Sequence, residues 1–147
     1  SPNAPTAREY WLTPDDVAPI NQYAYKLAMF STCGQAKIDL GQPWKDAFEA
    51  EAVVGWDEKT WPDVKRAYDL AFFECFNPSD PAKYRKNVQG AHDYATTIAQ
   101  TQPKWKQPWE KEDKDGNVIE IVPVLGEPRC IGDAIIIPAW KRRFDLE

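Results

Sequence analysis

Thirteen prolines divide this chain of 147 residues into short segments. Proline lacks a backbone N–H and has a fixed φ, so it fits the first turn of a helix and disrupts a helix interior. Several prolines directly follow a residue that can cap a helix, as in Thr13-Pro14 and Asp80-Pro81. The proline positions therefore predict several helices of modest length, each of which begins close to a proline.

Apolar residues between these prolines recur every three or four positions as far as residue 102, which is typical of helices that pack on one face. After a short opening turn at Thr13, the spacing predicts four main helices, over 19–33, 43–55, 60–77 and 79–103. The first of them could also continue past Gly34 to about Leu40. Gly41-Gln42-Pro43 is expected to break the chain between the first two. Thr60 and Asp63 have the spacing of a capping box at the start of the third helix.

The residues beyond Pro103 have a different character, since β-branched residues replace the helical spacing. Asp115-Gly116 is a favoured hairpin dipeptide, and strands are expected over 118–122, 129–131 and 134–137. The predicted fold class is α+β: a helical N-terminal two-thirds of about four helices packs with a small antiparallel sheet from the C-terminal third.

The length is typical of one domain. Residues 1–12 are predicted to form an extended N-terminal arm, and residues 13–145 a single globular domain, helical over 13–102 and β-rich over 103–145. The longest apolar run, over 134–137, is too short to span a bilayer. We expect a soluble protein with no membrane insertion, either cytoplasmic or secreted and processed; the sequence leaves this choice open.

The net charge of −5 disfavours a nucleic-acid partner, because binding to a phosphate backbone needs a basic surface. A single histidine, the absence of a Cys-x-x-Cys pair and the absence of a glycine-rich phosphate loop predict neither a metal nor a cofactor. Cys33 and Cys75 lie near the ends of predicted helices, so they could form a disulfide; free thiols are the alternative.

Carboxylates are the only plausible catalytic material in the chain. Five of them cluster in sequence near Trp44 and Trp56: Asp46, Glu49, Glu51, Asp57 and Glu58. Two carboxylates that flank a sugar between aromatic walls could hydrolyse a glycan, although charged residues on a helix surface are more often simply solvated. His92, the only histidine, lies beside the apolar face of the fourth helix and is expected to be a packed or half-exposed side chain. No catalytic residue is predicted.

Tryptophan is frequent, with seven residues, and five of these lie within two positions of a proline. Such rings usually hold loops against the body of a domain. Trp105 and Trp109 are the candidates for a partner-binding surface, because Pro103, Pro108 and the flanking Lys104 and Lys106 favour an extended, solvated segment.

The sequence thus predicts a non-enzymatic protein–protein interaction domain or an accessory subunit of a larger assembly, with another protein as partner. Two alternatives stay open. The first is a small glycan-acting hydrolase that uses a carboxylate pair, and the second is a small-ligand-binding protein with an aromatic-walled pocket.

Overall fold

A computed structural model describes residues 13–33 and 38–138, with side chains described over 13–30 and 41–138. The predicted arm over 1–12 and the end of the predicted domain lie outside these residues. The elements in chain order are α1 (Pro14–Val17), β1 (Tyr25–Cys33), α2 (Ile38–Ala47), β2 (Ala50–Trp56), α3 (Pro62–Glu74), α4 (Val88–Gln100), β3 (Trp109–Glu112), β4 (Val118–Val122) and β5 (Pro128–Gly132). None of the described helices has the length and apolar character needed to cross a bilayer.

Two separate sheets are present among the described residues. A three-stranded sheet has the order β1-β2-β5, in which β1 and β2 are parallel and β5 is antiparallel to β2. Because parallel neighbours need a crossover connection, α2 joins β1 to β2 across one face of the sheet. β3 and β4 form an antiparallel hairpin of their own.

The core lies around β2, the middle strand of the larger sheet, which is buried on both faces. Ala52, Val54 and Trp56 belong to the main core cluster together with buried residues of α3 and α4. Since side chains alternate along a strand, Val53 lies on the opposite face, the one that α2 covers. Helices therefore cover β2 on both faces, and the sheet is the middle of three layers.

The α+β class is confirmed, but the helical N-terminal two-thirds is partly wrong. The predicted helix over 19–33 contains strand β1, and the predicted helix over 43–55 contains the end of α2 followed by strand β2. The sheet is therefore mixed and draws two strands from the N-terminal half. For β2 the reason is burial, because a strand covered on both faces shows a continuous apolar run that is compatible with a helix. β1 is not fully buried, but its residues 27–30 are also consecutive apolar residues and show no alternation.

Three helices also begin differently from what the sequence predicts. Pro43 lies inside α2 instead of breaking the chain. α3 has Trp61 as its N-cap, with no side-chain capping bond, and Thr60 Oγ1 has no hydrogen-bond partner, so the predicted capping box is wrong. Asp80-Pro81 opens only a 3-10 turn, and α4 begins later, where Asn87 caps it.

The β-rich character beyond residue 103 is confirmed for two of the predicted strands, since β4 matches 118–122 and β5 includes 129–131. The segment over 134–137 is not a strand; it makes one isolated bridge, between Ile135 and Asn87. Val88 N donates to Ala134 O at 2.9 Å, and Ile136 N donates to Lys86 O at 2.8 Å. These bonds direct the segment across the start of α4 rather than into the sheet.

Candidate functional site

The β3–β4 hairpin is the most exposed element of the described structure. Every side chain in its two strands is exposed except that of Val122, which is half-buried. The strands contact mainly each other and make few contacts with the other elements. An isolated two-stranded hairpin is only marginally stable in water, so its turn and its base must hold it in place.

The turn of the hairpin is closed by Asp113. The amides of Asp115 and Asn117 donate to Asp113 Oδ1 at 2.8 and 3.0 Å, and Asp113 N donates to Asn117 O at 2.9 Å. Hydrogen bonds from the Asn117 and Asp115 amides hold the pKa of Asp113 below its usual value. Gly116 supplies the left-handed conformation, with φ of 83°, so Asp115-Gly116 forms the turn that the sequence predicts.

The base of the hairpin rests against the start of α3. Trp61 and Trp109 line a surface groove of about 210 Å³, and the rest of the lining comes from Lys59, Thr60, Val122, Pro123 and Val124. Trp61 Nε1 donates to Gln107 O at 2.7 Å, which joins the start of α3 to the segment that leads into β3. The Trp109 side chain remains 48% exposed, so one wall of this groove is open to solvent.

The two candidate lysines are held by nearby carboxylates. Lys104 Nζ lies 3.6 Å from Asp63 Oδ2 and 5.0 Å from the centre of the Trp61 ring. Lys106 Nζ lies 3.4 Å from Glu127 Oε1 and 5.5 Å from the centre of the Trp105 ring. Both pairs are well exposed, so each contributes little to stability and mainly orients the segment.

The two candidate tryptophans have different surroundings. Trp105 is half-buried, packs against the core, and has its ring centre 6.4 Å from that of Trp56. Trp109 lies on β3 with about half of its surface exposed. The structure therefore brings Trp109 together with Trp61, which the sequence analysis did not single out. Trp105 instead packs against the core of the domain.

One face of the hairpin carries apolar side chains that are largely exposed to solvent. Ile121 is 64% exposed and lies opposite Glu110 in the ladder, and Ile119 and Val118 are also exposed. Residues 109–122 carry five carboxylates against two lysines. The result is an acidic ribbon with an isoleucine stripe. The sequence signal for this ribbon is the presence of apolar residues at 118, 119, 121 and 122, next to a predicted hairpin turn. A two-stranded hairpin can bury only one of its faces, so some of these residues have to be exposed.

Two of the five carboxylates considered for glycan hydrolysis, Glu51 and Asp57, lie at opposite ends of β2. β2 separates Glu51 from Asp57 by six residues, which is about 20 Å along a strand, whereas a catalytic pair needs about 5–9.5 Å. Asp57 is instead bonded to Arg129 Nε at 2.9 Å and accepts from Glu127 N at 2.8 Å. Trp56 is fully buried and offers no wall to a sugar.

A second polar cluster lies between α3, α4 and β5. Tyr68 Oη and His92 Nδ1 are 2.8 Å apart, and Tyr68 is fully buried. Burial raises the pKa of Tyr68 and, with a smaller effect from Asp133, raises the pKa of the Cys130 thiol to about 12. A thiol of that pKa is protonated at neutral pH and is a poor nucleophile. We therefore interpret this cluster as a structural part of the core, in which Tyr68 and His92 are hydrogen-bonded to each other.

His92 gives a pH-dependence that can be tested. Burial lowers its pKa in the folded state, and Arg129 adds to this while Asp93 opposes it. An unfolded histidine has a pKa of about 6.5, so the unfolded chain takes up its proton first as the pH falls. The free energy of unfolding should be highest above about pH 6.5 and should decrease from there toward pH 5.

Because His92 is the only histidine, replacing it removes this contribution completely. Denaturation of wild type and His92→Gln at a series of pH values should show that the free energy of unfolding decreases more steeply in the wild type as the pH falls below about 6.5. An equal slope in both proteins would mean that His92 is not the group responsible.

The described cysteines and the potential metal ligands do not form a cluster in the part of the chain that the structure describes. Cys75 is buried and its Sγ donates to Ala71 O at 3.4 Å, and Cys130 is a half-buried free thiol. The side chain of Cys33 lies outside the described residues, so its pairing with Cys75 stays a prediction. Within the described ranges, no three side chains of His, Cys, Asp or Glu are grouped as metal ligands.

Comparison with models of known families, with curated proteins and with solved structures finds no match for this chain. The fold and the site define it as a mixed α+β domain that carries an exposed acidic hairpin.

Proposed function

We propose that this chain is a non-enzymatic interaction domain that binds another protein through the β3–β4 hairpin. The observation that carries the proposal is the exposed stripe of Ile119 and Ile121 on a hairpin whose base alone rests against α3. Fully burying one side chain of this size contributes about 1.5–3 kcal/mol, so covering Ile119 and Ile121 alone would supply a substantial part of a binding free energy.

The charge of the hairpin indicates the kind of partner. Glu110 lies opposite Ile121 on the same face of the hairpin, whereas Glu120 lies opposite Lys111 on the other face. The hairpin as a whole carries five carboxylates against two lysines, so the apolar stripe belongs to an acidic surface. A complementary surface would have an apolar cleft with lysines or arginines at its rim, because opposite charges speed encounter and exclude wrong partners. The groove between Trp61 and Trp109 continues this surface at the hairpin base.

The small-ligand alternative is less well supported. The described grooves have volumes of about 210–350 Å³ and are open clefts. Pockets for small ligands are mostly about 300–1,000 Å³ and bury most of the ligand. A groove that accepts one or two side chains of another protein fits these dimensions better.

Site-directed photo-crosslinking tests the proposal. A photoreactive residue is placed at Ile121, or at Leu70 as a control that is equally exposed but lies on α3. After irradiation in an extract of the native source, we expect one discrete conjugate from position 121 and none from position 70. Excess wild-type protein should compete with it, and excess Ile119→Thr/Ile121→Thr protein should not.

Binding of the identified partner, purified, then completes the test. The Ile119→Thr/Ile121→Thr variant should keep its melting temperature, because both side chains are exposed, and should bind the partner at least tenfold more weakly. Equal binding by both proteins, equal competition by the variant, or the absence of any conjugate would each contradict the proposal.

A further inference from the structure

Strand β1 is an open edge of the larger sheet. Within the described residues it pairs only with β2, through which it reaches β5. None of its described side chains, Tyr25–Phe30, is fully buried, whereas Ala52, Val53 and Val54 of the adjacent strand have no exposed surface. The burial of the sheet therefore stops at β1, although β1 is as apolar as its neighbour.

The usual protection of an edge strand is weak in β1. Natural edge strands carry charges, prolines or bulges, or are very short, because an open ladder of N–H and C=O groups can pair with another chain. β1 has nine residues, no proline and a single charged residue, Lys26. Its one irregularity is a shift in register after Met29, beyond the first half of the strand.

Clefts follow this edge on both faces of the sheet. One of about 280 Å³ is lined by Tyr25, Leu27, Ala28, Met29, Phe30 and Phe48. Residues that point to opposite faces line this one cleft, so it runs along the edge itself. A second cleft of about 290 Å³ lies beside Lys26 and Leu27 and includes the exposed Ile135 and Ile137.

The clefts define what can occupy the edge. An added strand would meet apolar side chains on both of its faces, so it must itself be apolar on both faces rather than alternating. β1 has this composition, with Leu27 and Met29 on one face and Ala28 and Phe30 on the other. The strand is therefore complementary to a second copy of itself.

We propose that two copies of this chain associate by antiparallel pairing of their β1 strands about a two-fold axis at Ala28. The two three-stranded sheets then form one continuous six-stranded sheet. Leu27 of each copy lies opposite Met29 of the other, and Lys26 opposite Phe30, where the ammonium group can contact the ring. No like charges face each other along the paired strands.

The area is sufficient for a dimer of moderate affinity. Nine residues extend over about 30 Å, and the layers on the two sides of the sheet give a height of about 20 Å. The contact is therefore roughly 600 Å² per copy, below but near the roughly 800 Å² of a standard interface. We expect dissociation in the micromolar range.

Sedimentation equilibrium of the full chain, from micromolar to submillimolar concentration, tests the dimer. Wild type should fit a monomer–dimer equilibrium. Ala28→Lys and Ala28→Glu each place two like charges at the axis, so each should weaken the dimer at least tenfold. An equimolar mixture of the two variants should associate again, because opposite charges then meet. Ile119→Lys on the hairpin is the matched control and should leave the dimer unchanged.

Amide hydrogen exchange of the wild type provides a measurement that needs no variant. Protection of the amides over 25–30 should rise with protein concentration, while that of β4 should not. A wild type that is monomeric at all these concentrations, or dimers that neither Ala28 variant weakens, would overturn the proposal. Amide hydrogen exchange in β1 that does not depend on protein concentration would also overturn the proposal.

Discussion

Replacing Gly132 by alanine is expected to lower the free energy of unfolding by about 3 kcal/mol or more. Gly132 ends β5 and has φ of 80°, in the left-handed region where a side chain is strained by about 1–3 kcal/mol. A Cβ at this position would also overlap the carbonyl oxygen of Glu51, which accepts a 3.1 Å hydrogen bond from Asp133 N. The Lys45 side chain, whose Cε is also close, can rotate away, but the overlap with the Glu51 backbone cannot be relieved by a side-chain rotation.

Gly116→Ala is the matched control for this change. Gly116 has almost the same backbone conformation, with φ of 83°, but nothing lies within 4 Å of the position of its Cβ. Its replacement should cost about 1 kcal/mol, the conformational part alone. Urea denaturation of both variants separates the cost of the backbone conformation from the cost of the overlap with Glu51. Equal losses of stability would show that the overlap with Glu51 adds no cost.

Trp105→Ala should lower the free energy of unfolding by about 2–3 kcal/mol, while Trp109→Ala should change it by less than about 1 kcal/mol. The Trp105 ring packs against the core beside Trp56, so its loss leaves a gap in the layer over β2. Trp109 is about half exposed at the hairpin base and covers no core residue. For a chain of this size, the first change corresponds to a decrease in Tm of roughly 5–10 °C.

The same two variants separate stability from binding. If the hairpin is the interaction surface, Trp109→Ala should weaken binding of the partner found by crosslinking and leave Tm almost unchanged. Trp105→Phe, which keeps most of the packed area, should recover most of the stability that Trp105→Ala loses. A larger loss of stability at Trp109 than at Trp105 would reverse the assignment of the two rings.

Local sequence signals predicted the elements that local chemistry controls. α1 has the Thr13 cap, the first-turn proline and the acidic residues that the sequence indicates, and Thr13 and Asp16 bond reciprocally. The hairpin turn at Asp115-Gly116 likewise depends on neighbours within five residues. These features need no knowledge of distant parts of the chain.

The candidate site was only partly accessible from the sequence. Trp109 could be chosen from its flanking residues, but its position beside Trp61 depends on where α3 meets the hairpin, 48 residues apart in the chain. Trp105 has nearly the same local surroundings as Trp109, with a lysine and a proline nearby. Only tertiary packing decides that one ring contacts the core and the other remains open to solvent.

By itself, the sequence determined the α+β class, α3, the turn at Asp115-Gly116 and strand β4, because turns and helical periodicity act over a few residues. Strand β3 was not predicted. Tertiary structure alone decided that residues 25–33 and 50–56 are parallel strands. Their apolar runs suit a helix or a strand equally well, and burial of β2 between two helical layers selects the strand. Within residues 13–33 and 38–138, the unpaired edge of β1 and the exposed isoleucines of β4 also follow from that arrangement, because exposure depends on which parts of the chain pack against each strand.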